Sequence, residues 1–255
     1  MRSPLKNLDN HKCTLSYLKK TIPQRSVIDS FMFFDGYIEF NLCENNIFVN
    51  AHTNRFVVYE FWQCAVTDAY TISEVVKSDQ IQRIKDKEAF HILQENWAKY
   101  KDPFVRSAFF FMLNRCSEKG LISSGEFEID RLNPISIKHL ENFRVNNFHL
   151  TYDTNETLIS SIQKASNSNF LLLPMGKFSL NLFEHGKSLG LEQTFVHHKK
   201  LNSLLNSINK KWLLIYKNHP GVFSLYKENR IVMINQSGNV TNDRNTCEDI
   251  IVTNF

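Results

Sequence analysis

The chain has 255 residues, 42% of them hydrophobic and 22% charged. That composition excludes a wholly disordered chain and allows one large domain, or a core domain with an insertion. A formal net charge of +4 permits a nucleic-acid partner without the excess of a histone-like protein, no apolar run is long enough to span a bilayer, and the opening MRSPLKNLDNHK has no apolar stretch behind its basic residues, so a cytoplasmic protein without membrane association is expected.

In chain order, Leu15 to Ile22 has helical spacing and stops at Pro23. Ser26 to Asn41 opens as an apolar strand and reaches Gly36, the only glycine of the N-terminal third. Asn46 to Asn50 reads as a second strand, and Arg55 to Ala69 as a helix. A long charged, helix-favouring stretch follows from Ser73 to Lys101, then Pro103 and a buried helix over Phe104 to Arg115. Lys119 to Asp130 carries two short β-rich runs around Ser123-Ser124-Gly125, which predicts a hairpin. Strands are expected again at Asn169 to Leu173, Phe195 to Lys199, Lys211 to Tyr216, Ile231 to Asn235 and Ile250 to Thr253. Strand–helix alternation at both ends predicts an α/β sheet, with residues 1–70 and 150–255 as its core and 71–149 as an inserted helical and hairpin lobe.

The five cysteines are scattered, with no CxxC pair, and read as reduced, mostly buried thiols. Without HExxH or a Cys/His ladder, no metal site is expected. The eight glycines form neither GxGxxG nor GxxxxGK[ST], which removes the dinucleotide and P-loop readings. The acidic singletons Asp29, Asp35 and Asp153 have no recognisable base or nucleophile beside them in the sequence. Trp62, Trp97 and Trp212 fit packing, and His197-His198-Lys199-Lys200 fits a solvated, basic helix start.

Five segments in order resemble a Dam-type DNA adenine methyltransferase. They are Ser3-Pro4-Leu5-Lys6 with Lys12, Val27 to Leu42, Asn50, the run Leu113-Asn114-Arg115 through Lys119-Gly120-Leu121 to Gly125-Glu126-Phe127, and Ile250 to Phe255. The resemblance covers nearly the whole chain and implies a methyltransferase-like, Rossmann-type α/β fold, a mainly parallel sheet flanked by helices, with an inserted DNA-recognition lobe. The family's Phe-x-Gly-x-Gly donor loop corresponds to Phe33-Phe34-Asp35-Gly36-Tyr37, which keeps one glycine. The acidic ribose ligand aligns with Ala51, and the Gly-Gly of the opening motif with Asn10-His11. The catalytic Asp-Pro-Pro-Tyr aligns with Leu173-Pro174-Met175-Gly176, which offers neither a carboxylate for the adenine amino group nor a ring to stack a flipped base.

These departures imply a catalytically inactive, phage or mobile-element factor with no cofactor, its degenerate donor positions being Phe33, Asp35, Gly36 and Ala51. Phe33, Phe34 and Tyr37 are expected to fill part of the donor pocket. Lys6 and Lys12 become surface or phosphate-contacting charges. What the resemblance leaves intact is a double-stranded-DNA surface of Asn114, Arg115, Lys119, Ser123 and Ser124. A further protein subunit is an allowed partner. Two other readings stay open, a divergent active S-adenosylmethionine-dependent methyltransferase and a protein–protein adaptor without DNA affinity.

Overall fold

A computed structural model describes residues 3–7, 10–82, 84, 86–122, 125–128, 132–154, 157–165, 168–178 and 196–255. Short helix α1 (Leu15–Thr21) leads into strand β1 (Val27–Ser30), helix α2 (Tyr37–Cys43) and strand β2 (Phe48–Thr53). Between β2 and the next strand the described residues form helices α3 (Phe56–Lys77), α4 (Asp79–Gln82), α5 (Lys87–Asn96), α6 (Pro103–Cys116) and α7 (Pro134–Glu141). Then come β3 (Phe148–Tyr152), α8 (Leu158–Lys164), β4 (Phe170–Gly176), α9 (His198–Ser207), β5 (Lys211–Lys217), α10 (Pro220–Leu225), β6 (Arg230–Asn235), β7 (Val240–Thr241) and β8 (Cys247–Thr253).

The eight strands form one sheet in the order β3-β2-β1-β4-β5-β8-β6-β7. The first five in that order are parallel, while β8 lies antiparallel between β5 and β6. This is the mainly parallel, helix-flanked, Rossmann-like architecture that the resemblance implied. The strand order reverses direction between β1 and β4, so their carboxyl ends diverge into a crevice, the usual ligand position in such sheets.

The central strands are buried on both faces, as parallel strands covered by helices must be. On β4, Leu172 joins the core with Phe33, Phe40, Trp62 and Phe110, while Leu171 and Leu173 face a second core with Trp212, Leu214 and Tyr216. All three tryptophans are buried, as are the five free cysteines. The N-terminal boundary of α6 follows from Asp102, whose carboxylate accepts from Phe104 N (2.8 Å) and Val105 N (3.0 Å) ahead of Pro103. Asn133 caps α7 in the same way.

Three expected elements differ. The stretch from Ser73 to Lys101 is divided between the end of α3, α4 and α5, because Asp86 caps a new helix by accepting from Ala89 N at 2.7 Å. Helix α3 is itself kinked at Asp68 (φ −157°, ψ 80°), whose carboxylate accepts from Thr71 N and Thr71 Oγ1 and so restarts the helix. In place of a strand over Phe195 to Lys199, the described part begins α9, with His197 at its N-cap; Phe195 is outside the described residues. The segment after α6 closes by a single antiparallel bridge, Ser117 to Phe127, and the expected hairpin tip at Ser123 and Ser124 lies outside the described residues. No helix among the described residues is long and apolar enough to cross a membrane.

Candidate functional site

The turn after β1 shapes the crevice. Phe31 N donates to Leu172 O of β4 (2.9 Å) and Phe33 N to His52 O of β2 (3.1 Å), so the turn is stitched across the switch point. Gly36 closes it at φ +67°, where an added Cβ would stand 2.3 Å from the Phe40 ring. Phe33 and Phe34 do not occupy the crevice as expected. Phe33 points into the core, with ring centroids 5.4 Å from Phe148, 5.8 Å from Trp62 and 6.0 Å from Phe40. Phe34 is also buried, under Arg55 at 5.3 Å, and its carbonyl accepts from Trp62 Nε1. Tyr37 is half-buried at the start of α2.

The side chains that close the crevice are Phe31 and His52, stacked at 4.7 Å and 15°. With Met32, Asn54, Asp153, Leu158 and Ser161 they leave a cavity of about 20 Å³. That holds about one water, whereas small-molecule sites run to roughly 300 Å³ or more. Ala51, aligned with the family's ribose ligand, is fully buried inside β2 and not at its end, since the strand continues to Thr53.

His52 lies between two carboxylates. Parallel register sets Asp29 opposite Asn50 and His52 opposite Thr151, and two residues along a strand return to the same face. Nε2 is 3.4 Å from Asp29 Oδ1 and Nδ1 is 3.5 Å from Asp153 Oδ2. Burial alone would lower the His52 pKa; the bonds to Asp153 and Asp29 outweigh it and raise it to about 9. Burial would likewise raise Asp29, but hydrogen bonds from His52, Ser168 and Asn50 hold it below the usual carboxylate value. The two acids that stood alone in the sequence thus share one histidinium. Nearby, burial pushes Asp35 up to about 6 and Glu39, which accepts from Ser30 Oγ at 2.6 Å, up to about 7.

At the end of β4, Leu173 and Met175 are buried in the second core, Pro174 is half-buried at a register shift, and Gly176 turns at φ +68°. The Gly176 N–H is not open to a ligand, because it donates to His11 Nε2 at 3.0 Å. His11 Nδ1 lies 3.0 Å from Asp249 Oδ1, so the ring donates through Nδ1 and accepts through Nε2. Asp249 is fully buried on β8 and also meets Lys217 Nζ (3.0 Å) and Cys13 Sγ (2.6 Å). Burial tends to raise its pKa, but His11, Cys13 and Lys217 bring it below the ordinary value. Burial and the Asp249 bond push Cys13 up to about 12, so this thiol is inert at neutral pH.

His11 belongs to an N-terminal strap. Ser3 Oγ donates to Asp35 O, Leu5 is buried, and Lys6 N donates to Asn114 Oδ1 at 2.7 Å. Lys6 Nζ reaches Ser117 O and Glu128 Oε2, both at 2.9 Å, so it is a structural bridge and not a surface charge. Lys12 stays exposed.

Of the residues expected to touch DNA, Asn114 is fully buried. Its Nδ2 donates to Lys6 O (2.9 Å) and Gly120 O (3.1 Å), which makes it the clamp of the strap and leaves nothing for a base edge. Arg115 is half-buried in the last turn of α6. Lys119 is described by its backbone alone, in the 3-10 turn Glu118–Gly120, and Ser123 and Ser124 are outside the described residues.

Sequence reasoning missed His11, His52, Lys217 and Asp249 as site residues. The substitution of Asn10-His11 for a glycine pair was the available signal for His11. Nothing local marks the others, whose meaning comes from strand register. Among the described residues no group of three His, Cys, Asp or Glu is arranged to hold a metal.

No family model matches the sequence, and no curated protein does. Among solved structures, PH1948 from Pyrococcus horikoshii, described as a provisional RNA methyltransferase, superposes with a TM-score of 0.36 at 9% identity, over 94% of this chain and 79% of that one. At that score the likeness carries no argument, and the architecture rests on the strand order itself.

Proposed function

We propose that this protein binds double-stranded DNA on a methyltransferase-like sheet and does not transfer methyl groups. The observation that carries the reading is the Phe31–His52 stack, which among the described residues leaves a cavity of about 20 Å³ between the ends of β1, β2 and β3 and helix α8. Phe31 stacked on His52 takes up space that a nucleoside would need, and His11 engages the Gly176 amide at the end of β4. Phe31 and His11 are buried and His52 and Gly176 half-buried, and opening the crevice costs the stack, the hydrogen bond and the ion pairs of His52 and Asp249 together. The DNA-facing part is the inserted lobe, 71–149, with Arg115 and Lys119 as its phosphate contacts.

Duplex retardation at two salt concentrations tests the binding half. Arg115→Ala with Lys119→Ala should weaken binding and lower the log–log salt slope by about two units. Absence of any duplex affinity in the wild type at low salt would overturn this half. Calorimetric titration with S-adenosylmethionine tests the other half. No heat of binding is expected, and clear micromolar binding would favour an active methyltransferase. One observation favours that second reading: Asp35 and Glu39, both with raised pKa values, stand beside the switch point as perturbed carboxyl groups do in active sites.

A further inference from the structure

A larger opening lies at the other end of the same strands. Its walls are the segments that enter β1 (Pro23 to Ser26), β4 (Ser168, Asn169) and β5 (Asn209 to Lys211), together with Asn254 and Phe255 after β8. The groove has a volume of about 860 Å³, far above the residual crevice at the carboxyl ends. Among the described residues that line it, three are cations, Arg25, Lys210 and Lys211, and none is an aspartate or glutamate.

The two lysines are set in place by something other than a carboxylate. Lys211 Nζ lies over two rings, 5.3 Å from the Phe255 centroid and 5.6 Å from that of Phe170. Lys210 Nζ donates to Ala165 O at 2.6 Å. The Phe255 main-chain oxygen accepts from Arg230 Nη1 at 3.3 Å. The floor is stapled by asparagines: Asn254 accepts from Trp212 N and donates to Lys210 O, and Asn169 accepts from Val27 N. Such a floor needs little reorganisation to receive a ligand.

Arg25 adds a second, independent sign. It is exposed and holds φ +63°, the left-handed region that glycine occupies with less strain. Among the described residues, the other left-handed non-glycines are two asparagines, which tolerate it, and Met32 at the switch point. Arg25 N donates to Asn46 O at 2.7 Å, so the surrounding chain holds this conformation. Residues kept in costly backbone regions concentrate where a side chain has a task.

We propose that this groove binds the phosphate groups of a nucleic-acid backbone, with Arg25 and Lys211 as the principal contacts and Lys210 beside them. Lys and Arg free of internal carboxylates, on a preorganised floor without negative side chains, are what a polyanion requires. The site faces away from the switch point and does not depend on the reading of Arg115 and Lys119.

The test is fluorescence anisotropy with a labelled duplex and a labelled single strand, each at two salt concentrations, and with pyrophosphate as competitor. Arg25→Glu with Lys211→Glu should weaken the preferred nucleic acid about tenfold or more and lower the salt slope by about one to two units. Lys199→Glu with Lys227→Glu makes the same change in net charge elsewhere and should leave affinity within about threefold. Arg25→Gly separates folding from contact: it should melt at the same temperature or higher, because the backbone strain is relieved, and still bind more weakly. Preference for duplex or single strand identifies the source of the phosphates, and calorimetric binding of pyrophosphate in the absence of nucleic-acid binding identifies a small phosphate ester instead. Equal loss in the two charge-reversed proteins, or no binding of any of the three ligands to the wild type, would overturn the proposal. A groove variant that loses affinity while Arg115→Ala does not would leave this site standing and remove the other.

Discussion

Glu39, Asp35 and His52 give the protein a pH dependence whose sign is fixed. Glu39 moves from 4.5 unfolded to about 7 folded, and Asp35 from 3.8 to about 6. A folded state that keeps a proton longer than the unfolded chain loses stability as pH rises between the two values. His52 moves from 6.5 to about 9, so its contribution is complete below 6.5 and is lost as pH rises through 9. Asp29 and Asp249 are shifted downward and lose their contribution only as pH falls below the ordinary carboxylate range. Urea midpoints should therefore peak at mildly acid pH and fall toward pH 9. Glu39 and His52 should each contribute on the order of 2 kcal/mol. Glu39→Gln, which keeps an acceptor for Ser30, should flatten the limb below 7, and His52→Gln the limb above it. A wild-type midpoint that is level from pH 5 to 9 would contradict both assignments.

Among elements, the strap joins parts of the fold that are far apart in sequence. Through Ser3, Lys6, His11 and Cys13 it ties the β1 turn, α6, β4 and β8 together. Asn114→Ala removes three hydrogen bonds from a fully buried side chain and leaves the Lys6 and Gly120 main-chain groups without it. A loss of about 3 kcal/mol is expected. Hydrogen exchange should quicken first at Leu5 to Asn7, with β5 unchanged; uniform quickening through β5 would show the strap to be an inseparable part of the core.

The elements themselves were largely legible. Period and punctuation located α1, α6, β4, β5, β6 and β8 close to their true bounds, because apolar runs and prolines act locally. The strap's bonding was not legible, since Leu-Asn-Arg reads equally as a surface motif or a clamp. The difference lies in contacts more than a hundred residues apart. The Asp29–His52–Asp153 group was hidden for the same reason: register between three strands assembles it, and no spacing in the sequence records register.

For the molecule as a whole, alternation of strands and helices announced a parallel sheet, and the strand order bore that out. The place of the last strand could not be read in advance, because a run such as Ile250 to Thr253 pairs as well at an edge as within the sheet. It lies within the sheet. β8 separates β5 from β6, and its Asp249 sits opposite Lys217 and under His11. The consequence belongs to the order of synthesis. While the ribosome is still reading residues up to 246, β5 has an open edge and β6 has only the two-residue β7 beside it. His11 and Lys217 must also wait for their shared carboxylate. Folding therefore cannot proceed to completion from the first residue onward. A nascent chain stalled before Cys247 should remain protease-sensitive across β5 and β6, and release of the final strand should convert it to a resistant form in one step. Protection of those strands in the stalled chain would show that the sheet closes without its last member.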